Sequence, residues 1–452
     1  MQTRLDWSGY AERGMGDAYA DIPREGGDFA RAVAVCIRSG VCEQTSSGVM
    51  CPSFKVSGDP ALSPGGRVRT LKRALNQGEE GFWLTDPAVE EALSSCLSCK
   101  GCQRECENNL DMSAIKVEYL AQHALTGRKA WRQWLFAHFP ELLNRAPWLG
   151  LFIRWRNRSP WLARLMEKLL LIAAEVKLPE PARRHFAPAL RWFEPQAACC
   201  EPREVVLWID SFTSQFAPQQ AEQALAILRR LGFRVRVIHP DSVPGMMIDS
   251  GRSLLSQGKV AAAREQARSL LALLEGALRR GTSVIGLEPS SLLMLRDEYR
   301  QMDLGPVSEL ARKQAFLLEE FLSHELQSGR LRFKAKAQPR RLLVHGHCHQ
   351  KASGAMKAMR RVLKQLDGLD FDFIDASCCG MAGTFGLEAE HVAASRAMAN
   401  QALIPAIKAE PEALLLCNGL SCRHQISLLS GREPLHLVSL LALYLLDPAA
   451  AP

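Results

Sequence analysis

The segment CLSCKGCQREC places Cys96, Cys99, Cys102 and Cys106 at the spacing C-x2-C-x2-C-x3-C. So short a run of four thiols must coil tightly around whatever it binds. The spacing is that of a loop wrapped on a small iron–sulfur core, and in two-cluster ferredoxins the fourth cysteine of each run ligates the other cluster. A second, looser run is therefore expected, and it is present as Cys36, Cys42 and Cys51, the last followed by Pro52. Crossing the fourth ligands assigns Cys51, Cys96, Cys99 and Cys102 to one 4Fe-4S cluster and leaves Cys36, Cys42 and Cys106 for the other. The second set is one thiol short, with Ser39 in the middle of CIRSGVC. A 3Fe-4S cluster on three thiolates, or a 4Fe-4S cluster completed by a non-cysteine ligand, satisfies it. Zinc, which commonly takes two separated pairs of Cys or His, is the competing reading of both sets.

The chain holds fourteen cysteines: seven between Cys36 and Cys106, five between Cys348 and Cys422, and the pair Cys199–Cys200, which matches no motif. The N-terminus MQTRLDWSGYAERGMGD carries acidic residues and no apolar h-region, so no secretory signal is expected. Without export, dense cysteines point to metal or redox work in the cytoplasm rather than to disulfides. No stretch reaches the ~18 uncharged apolar residues of a membrane span. The longest greasy region, WLGLFIRWRNRSPWLARLMEKLLLIAA, is interrupted by Arg154, Arg156, Arg158, Arg164 and Lys168. The net charge of +8 suits an anionic partner, a membrane surface or plain solubility. With no recognisable module beside it, it gives nucleic-acid binding no support.

Along the chain, residues 1–127 read as a helical ferredoxin-like two-cluster domain and residues 128–202 as a Trp/Arg-rich helical connector ending in a Pro-rich linker. From 203 onward strand-like and helix-like segments alternate. VVLWI (205–209), RVRVI (234–238) and TSVIGL (282–287) are followed by RLLVHG (341–346), FDFID (371–375) and ALLLC (413–417), with helices expected near 221–232, 355–366 and 388–408. Such alternation implies parallel α/β sheets. Its recurrence implies two similar lobes, 203–335 and 336–452. Trp131, Trp134, Trp148, Trp155 and Trp161 interleave with arginine in the connector, which is read either as packing between domains or as an interfacial surface resting on a membrane near a quinone pool.

The C-terminal lobe carries HGHCHQKA (345–352), SCCGMAGTFG (377–386) and CNGLSCRHQI (417–426), each where a strand gives way to a loop. Parallel sheets collect ligands at the carboxyl ends of their strands, so Cys348, Cys378, Cys379, Cys417 and Cys422 are expected to meet at one iron–sulfur cluster, with zinc as the alternative. His345, His347 and His349 flank Cys348 and are read as loop packing or as ligands or tuners of the site.

These motifs resemble the cysteine-rich CCG domains of heterodisulfide reductase subunits and of the iron–sulfur subunits of glycolate, lactate and anaerobic glycerol-3-phosphate oxidising systems. From Val35 onward, through GVMCPSF, CLSCKGC, VVLWIDSFTSQF, LEPSSLLMLRDEY, HGHCHQKA and SCCGMAGTFGLEAEH, the chain is similar to the C-terminal half of FAD-linked oxidases of the D-2-hydroxyglutarate dehydrogenase type. The C-x5-C of Cys36 and Cys42 looks like that of the three-iron cluster in succinate dehydrogenase iron–sulfur subunits. The resemblance implies a five-thiolate cluster at the C-terminal site and no flavin in this chain. It implies an electron-transfer subunit, itself not catalytic, working with an FAD-binding oxidase or dehydrogenase subunit and delivering to quinone or another acceptor. Its location would be cytoplasmic or peripheral at the cytoplasmic face of the inner membrane. A heterodisulfide-reductase-like enzyme that reduces a disulfide at the C-terminal cluster is the alternative.

Three departures stand out. Cys417 and Cys422 are spaced C-x4-C where CCG domains close with C-x2-C, and Glu107 replaces the usual proline after Cys106. In the first lobe Asp249-Ser250-Gly251 and Ser291 stand where related chains carry cysteines, so that lobe is expected to hold no cluster.

Overall fold

The computed structural model describes residues 4–12, 21–44, 48–77, 79–188, 190–196, 202–333 and 335–446; Cys199 and Cys200 lie outside them. The chain is mostly helical, with two largely parallel sheets from residue 192 onward.

The N-terminal part is a set of short helices whose starts are legible in the side chains. Ser63, Asp86 and Asp111 cap the helices Pro64–Asn76, Pro87–Ser94 and Met112–Gln122, accepting the N–H of Gly66 at 2.8 Å, Ala88 at 2.9 Å and Ala114 at 3.0 Å. Helix Pro64–Asn76 buries Val68, Leu71 and Leu75, and Arg67 lies in the same stripe. Three helices follow, Gly127–Arg145, Leu149–Arg158 and Pro160–Leu170.

The first sheet contains β1 (Trp192–Phe193), β2 (Arg203–Trp208), β3 (Phe233–Ile238), β4 (Ser283–Gly286) and β5 (Ala315–Leu317) in the order β1-β3-β2-β4-β5, all parallel except β1. The second contains β6 (Ala335–Val344), β7 (Leu366–Phe373) and β8 (Leu414–Leu416) in the parallel order β7-β6-β8. The first strand of each βαβαβ run is thus central, its second strand on one side and its third on the other.

Period-two alternation sorts side chains between cores. Val206 and Trp208 face a core shared with the N-terminal helices, whereas Val205 and Leu207 face one shared with Leu342 and Val344 of the second sheet. On that sheet's far side Leu343 and Leu415 pack into a third core that holds five buried cysteines of the C-terminal half together with Leu97 and Cys99 of the N-terminal loop.

Two strands and one break depart from the sequence expectation. β1 lies in the connector segment, pairing antiparallel with β3, and β5 is three residues between helices Pro306–Gln314 and Leu318–Gln327. The single helix expected over 388–408 is two, Val392–Gln401 and Leu403–Ala409. Pro405 explains the break: it has no N–H to give the carbonyl of Gln401, and its ring would clash there.

Candidate metal centres

Residues with positive φ coil the first cysteine loop. Ser98 (φ 51°), Lys100 (φ 62°) and Cys51 (φ 27°) occupy conformations that non-glycine residues seldom adopt. Gly101 lets this loop approach its partner, since a Cβ there would lie 2.4 Å from the Val49 carbonyl oxygen. Glu105 fixes the approach by accepting the N–H groups of Val49 (2.7 Å) and Met50 (2.9 Å), just before Cys51. Ser53 Oγ donates to the Ser95 carbonyl at 2.6 Å on the other side. As a result Cys51, Cys96, Cys99 and Cys102 line one small cavity, all buried.

Arg67, 1% exposed, reaches this cavity. It donates to Cys51 Sγ at 3.3 Å, the Ala92 carbonyl at 2.7 Å and Ser95 Oγ at 3.0 Å. None of these partners is a carboxylate. Burial opposes its charge, but Cys96, Cys51 and Cys102 around it hold it protonated. A guanidinium buried this way calls for negative charge at the sulfurs. Burial also pushes the Cys99 and Cys102 thiols well up, while backbone N–H groups of Gly101 and Met112 directed at them favour the thiolates. A cationic core that replaces the thiol protons resolves both demands.

The second set is more open. Cys36, Cys42 and Cys106 are half-buried. Cys42 lies near Cys36 and receives the Gly65 N–H at 3.4 Å, with burial raising its pKa. Asn108 Nδ2 donates to the Val35 carbonyl at 2.7 Å, which brings the chain after Cys106 beside Cys36.

At the C-terminal site, Cys348 follows β6, Cys378 and Cys379 follow β7, Cys417 follows β8 directly, and Cys422 lies in the helix Leu420–Ser430. All five are buried, none more than 6% exposed. Their thiols form an unbroken series of contacts, Cys348–Cys378–Cys379–Cys422–Cys417. Cys417, despite the longer spacing, belongs to the group because β8 ends on it. Gly380 (φ 85°) permits the close turn, since a Cβ there would meet the Ser395 carbonyl oxygen at 2.2 Å. Its N–H reaches Cys378 Sγ at 3.4 Å; contact with Cys348 pulls the Cys378 pKa down, but contact with Cys379 and burial outweigh it and raise the thiol to about 12.

The three histidines separate here. His347 caps the helix Cys348–Ser353 by accepting the His349 N–H at 3.2 Å, and His349 Nε2 donates to the Ser98 carbonyl at 3.0 Å. His345, 2% exposed, has neither ring nitrogen hydrogen-bonded. Burial holds its pKa well down, so its lone pair is free. A nitrogen of His345 and the sulfurs of Cys379 and Cys422 all lie within 4.8 Å of one another. Among the described residues one other such group occurs, Glu388, Glu390 and His391; the N-terminal thiols form none. Ligands of one zinc ion crowd at ~2.3 Å from a point, so sulfurs spread around a cavity fit a multi-atom core better.

The two centres adjoin. Cys99 feels Cys348 and Cys378 as neighbours, and the His349–Ser98 bond ties their loops. Lys100, from the same loop, ion-pairs with Glu298 (2.9 Å) and contacts Asp297, both beyond β4. At the carboxyl end of the first sheet, oxygens stand instead of sulfurs. Ser291 Oγ donates to Asp210 Oδ2 at 3.0 Å, Ser211 bonds Asp249, and Tyr299 OH donates to the Ser250 carbonyl at 3.0 Å. Gly251 (φ 89°) turns the chain there with its Cβ direction 2.7 Å from the Ala263 carbonyl oxygen.

The coiled loops and converging thiols of the N-terminal part have a counterpart among known proteins: the 4Fe-4S dicluster domain family matches residues 32–110. These residues match an iron–sulfur dicluster domain. Over a longer span the chain is 26% identical to a D-2-hydroxyglutarate dehydrogenase of Pseudomonas putida, covering 90% of this chain and 43% of the relative. It is 25% identical to the glycolate oxidase iron-sulfur subunit of Escherichia coli over 87% of this chain and 89% of that one. It is also 25% identical to one polypeptide of the anaerobic glycerol-3-phosphate dehydrogenase of Escherichia coli, over 57% of this chain and 63% of that one. The chain spans less than half the length of the D-2-hydroxyglutarate dehydrogenases it matches. The likeness to these oxidoreductases extends well beyond residues 32–110.

Arg67 and Glu105 were not singled out by sequence, and nothing in it separated His345 from His347 and His349. Arg67 left one trace, an arginine inside the apolar stripe of its helix; Glu105 left none.

Proposed function

We propose that the chain is the iron–sulfur electron carrier of a flavin-dependent 2-hydroxy-acid dehydrogenase, taking electrons from FAD on a partner subunit and delivering them to quinone. The observation that carries this is the adjacency of Cys99 to Cys348 and Cys378, which makes one path of two thiol-lined centres. Bound iron–sulfur clusters supply one-electron redox chemistry. Cys51, Cys96, Cys99 and Cys102 would hold one, Cys36, Cys42 and Cys106 a second, and Cys348, Cys378, Cys379, Cys417 and Cys422 a third, with His345 beside it. Five thiols and an imidazole exceed the four ligands of a structural zinc.

The residues around these sites exclude water and balance charge: Arg67 at the first, and Lys351, which donates to the Ala376 carbonyl, at the third. In this reading residues 1–127 are the dicluster domain, 128–202 the connector, and 203–335 and 336–452 two CCG-type lobes. The equal strand orders and the two tight glycine turns support that repeat; Asp210, Asp249, Ser250 and Ser291 fill the first lobe's site with oxygens. In the full reaction a 2-hydroxy acid loses two electrons and two protons to the partner's FAD, and a quinone gains two of each to become quinol. Among the described residues no helix is long and apolar enough to cross a membrane, and the carrier would work peripherally at the membrane's cytoplasmic face.

The test is anaerobic purification with the flavoprotein that co-purifies, followed by iron analysis and EPR of the reduced chain. Iron at all three sites, and cluster signals that appear on adding the hydroxy acid, are expected. Protein without iron, or clusters that dithionite reduces but the flavoprotein does not, would overturn the reading.

A further inference from the structure

A cavity of about 650 Å³ lies between the connector helices and the metal centres. Its size is that of a site for a whole small molecule. Cys96 lies in its wall near one centre, and His347, Cys348 and His349 lie in its wall near the other. Away from these most of the lining surface is apolar, with Phe136, Phe139, Leu149, Phe152, Phe216 and Phe385, while Lys116, Arg132, Arg252, Glu288 and Glu388 bring charge to the wall. Short polar side chains, Ser253, Ser290 and Ser421, also reach it. Voids of this volume are uncommon in close-packed interiors, and one with a mainly apolar wall suits an apolar ligand.

Its mouth says where that molecule comes from. Trp148 belongs to the lining and is 64% exposed. It continues into a surface formed by the three connector helices, where Trp131, Trp134, Leu151, Trp155 and Trp161 are between 45% and 67% exposed. Of the thirteen large apolar side chains exposed among the described residues, eight lie between Trp131 and Leu169. Exposed Arg158, Arg164 and Lys168 are interleaved with them. Tryptophan and basic residues mixed in this way sit at the boundary between lipid headgroups and acyl chains. The cavity therefore runs from an exposed aromatic and basic surface to the walls of two metal centres.

We infer that this cavity binds a membrane quinone, with the ring at the Cys348–His349 end beside the serine hydroxyls and the isoprenoid tail leaving past Phe152 and Trp148. A water-soluble acceptor would not need an apolar channel, and a fatty acyl chain would have no use for termination against two redox centres. The assignment rests on the electron-carrier reading and adds to it the place where the acceptor docks.

The experiment uses the iron-loaded full chain in mild detergent, photolabelled with a short-chain azidoquinone and mapped by peptide mass spectrometry. Labelling within 136–153 or 381–391, displaced by excess unlabelled decyl-quinone, is expected. Ser253→Trp and Leu149→Trp each put an indole into the cavity from a separate lining segment, and each should weaken quinone binding by about tenfold or more. Both should keep the iron content, the EPR signals and the reduction of a soluble dye by the dithionite-reduced chain. Labelling that is absent, that maps elsewhere, or that an azido fatty acid reproduces and excess fatty acid displaces, overturns the inference. So does unchanged binding in both filled variants. If the chain carries no iron the electron-carrier reading fails instead; if it carries iron and reduces the dye but takes no label, only the cavity assignment fails.

Discussion

Replacing Arg67 with glutamine removes a buried positive charge while leaving a side chain able to keep one of its hydrogen bonds. The guanidinium donates to Cys51 Sγ at 3.3 Å and has Cys96 and Cys102 as further neighbours. An electron added to the core held by these thiols spreads over it, so the separation of charge centres is about 6 Å. At an effective dielectric near 20 a unit charge at that distance is worth about 3 kcal/mol, or about 120 mV for a one-electron couple. The cation favours the reduced state, so Arg67→Gln should lower the midpoint potential of this cluster by roughly 100 mV. Arg67→Lys keeps the charge and should restore most of the shift. The lost bonds to the Ala92 carbonyl and Ser95 hydroxyl cost about 1–3 kcal/mol of stability in either variant, so thermal unfolding alone does not separate the two effects. Redox titration monitored by EPR does. A glutamine variant with full iron and a potential within about 20 mV of the parent, well inside the Coulomb figure, would refute the argument that Arg67 balances cluster charge.

Other outcomes follow from the same geometry. Cys102→Ser should cripple the EPR signal of the cluster held with Cys51, Cys96 and Cys99 while sparing the other N-terminal signal. Cys379→Ala should remove the C-terminal signal and quinone reduction yet leave both N-terminal spectra; unchanged turnover would mean that electrons leave from the dicluster domain. Gly380→Ala forces a Cβ to 2.2 Å from a backbone oxygen at φ 85°, which should destabilise the chain by about 3 kcal/mol and be read as a lowered Tm with lost iron. Asp210 is fully buried; burial first, then the charges of Asp249 and Glu288, raise its pKa to about 8. The folded chain keeps a proton that the unfolded chain releases near pH 4. Stability is therefore greatest below about pH 4 on this account and falls as pH rises to about 8, by up to about 1.4 kcal/mol per unit. Asp210→Asn should flatten that slope in denaturant titrations between pH 5 and 8; a variant with the parent's slope would remove Asp210 as its source.

What could be read from the sequence was what repeats at a short, fixed spacing. The C-x2-C-x2-C-x3-C run, the alternating strands and the glycine beside Cys379 each encode local geometry. β1 and β5 did not stand out because two or three residues are too few for a period, and what makes them strands is the neighbouring edge. The break at Gln401 was legible in principle, since Pro405 announces it, but the apolar periodicity runs through. The docking of the N-terminal loop on the second sheet depends on Ser98 and His349, 251 residues apart. No local pattern carries such a pairing. The same holds for Arg67, whose role depends on thiols contributed by two separate segments.

That docking also bears on how the dicluster domain would fare alone. A fragment ending near residue 127 keeps all seven N-terminal cysteines and so its full inventory of thiols. It loses His349 above Ser98, Asp297 and Glu298 around Lys100, and the sheet against which Leu97 packs. Cys96, Cys99 and Cys102 are each no more than 9% exposed in the full chain, and part of that shelter is on loan from residues more than two hundred positions away. Dioxygen attacks iron–sulfur cores where solvent reaches them. The fragment would therefore assemble and then bleach in air faster than the whole protein, its lifetime set by a missing roof rather than by a missing ligand.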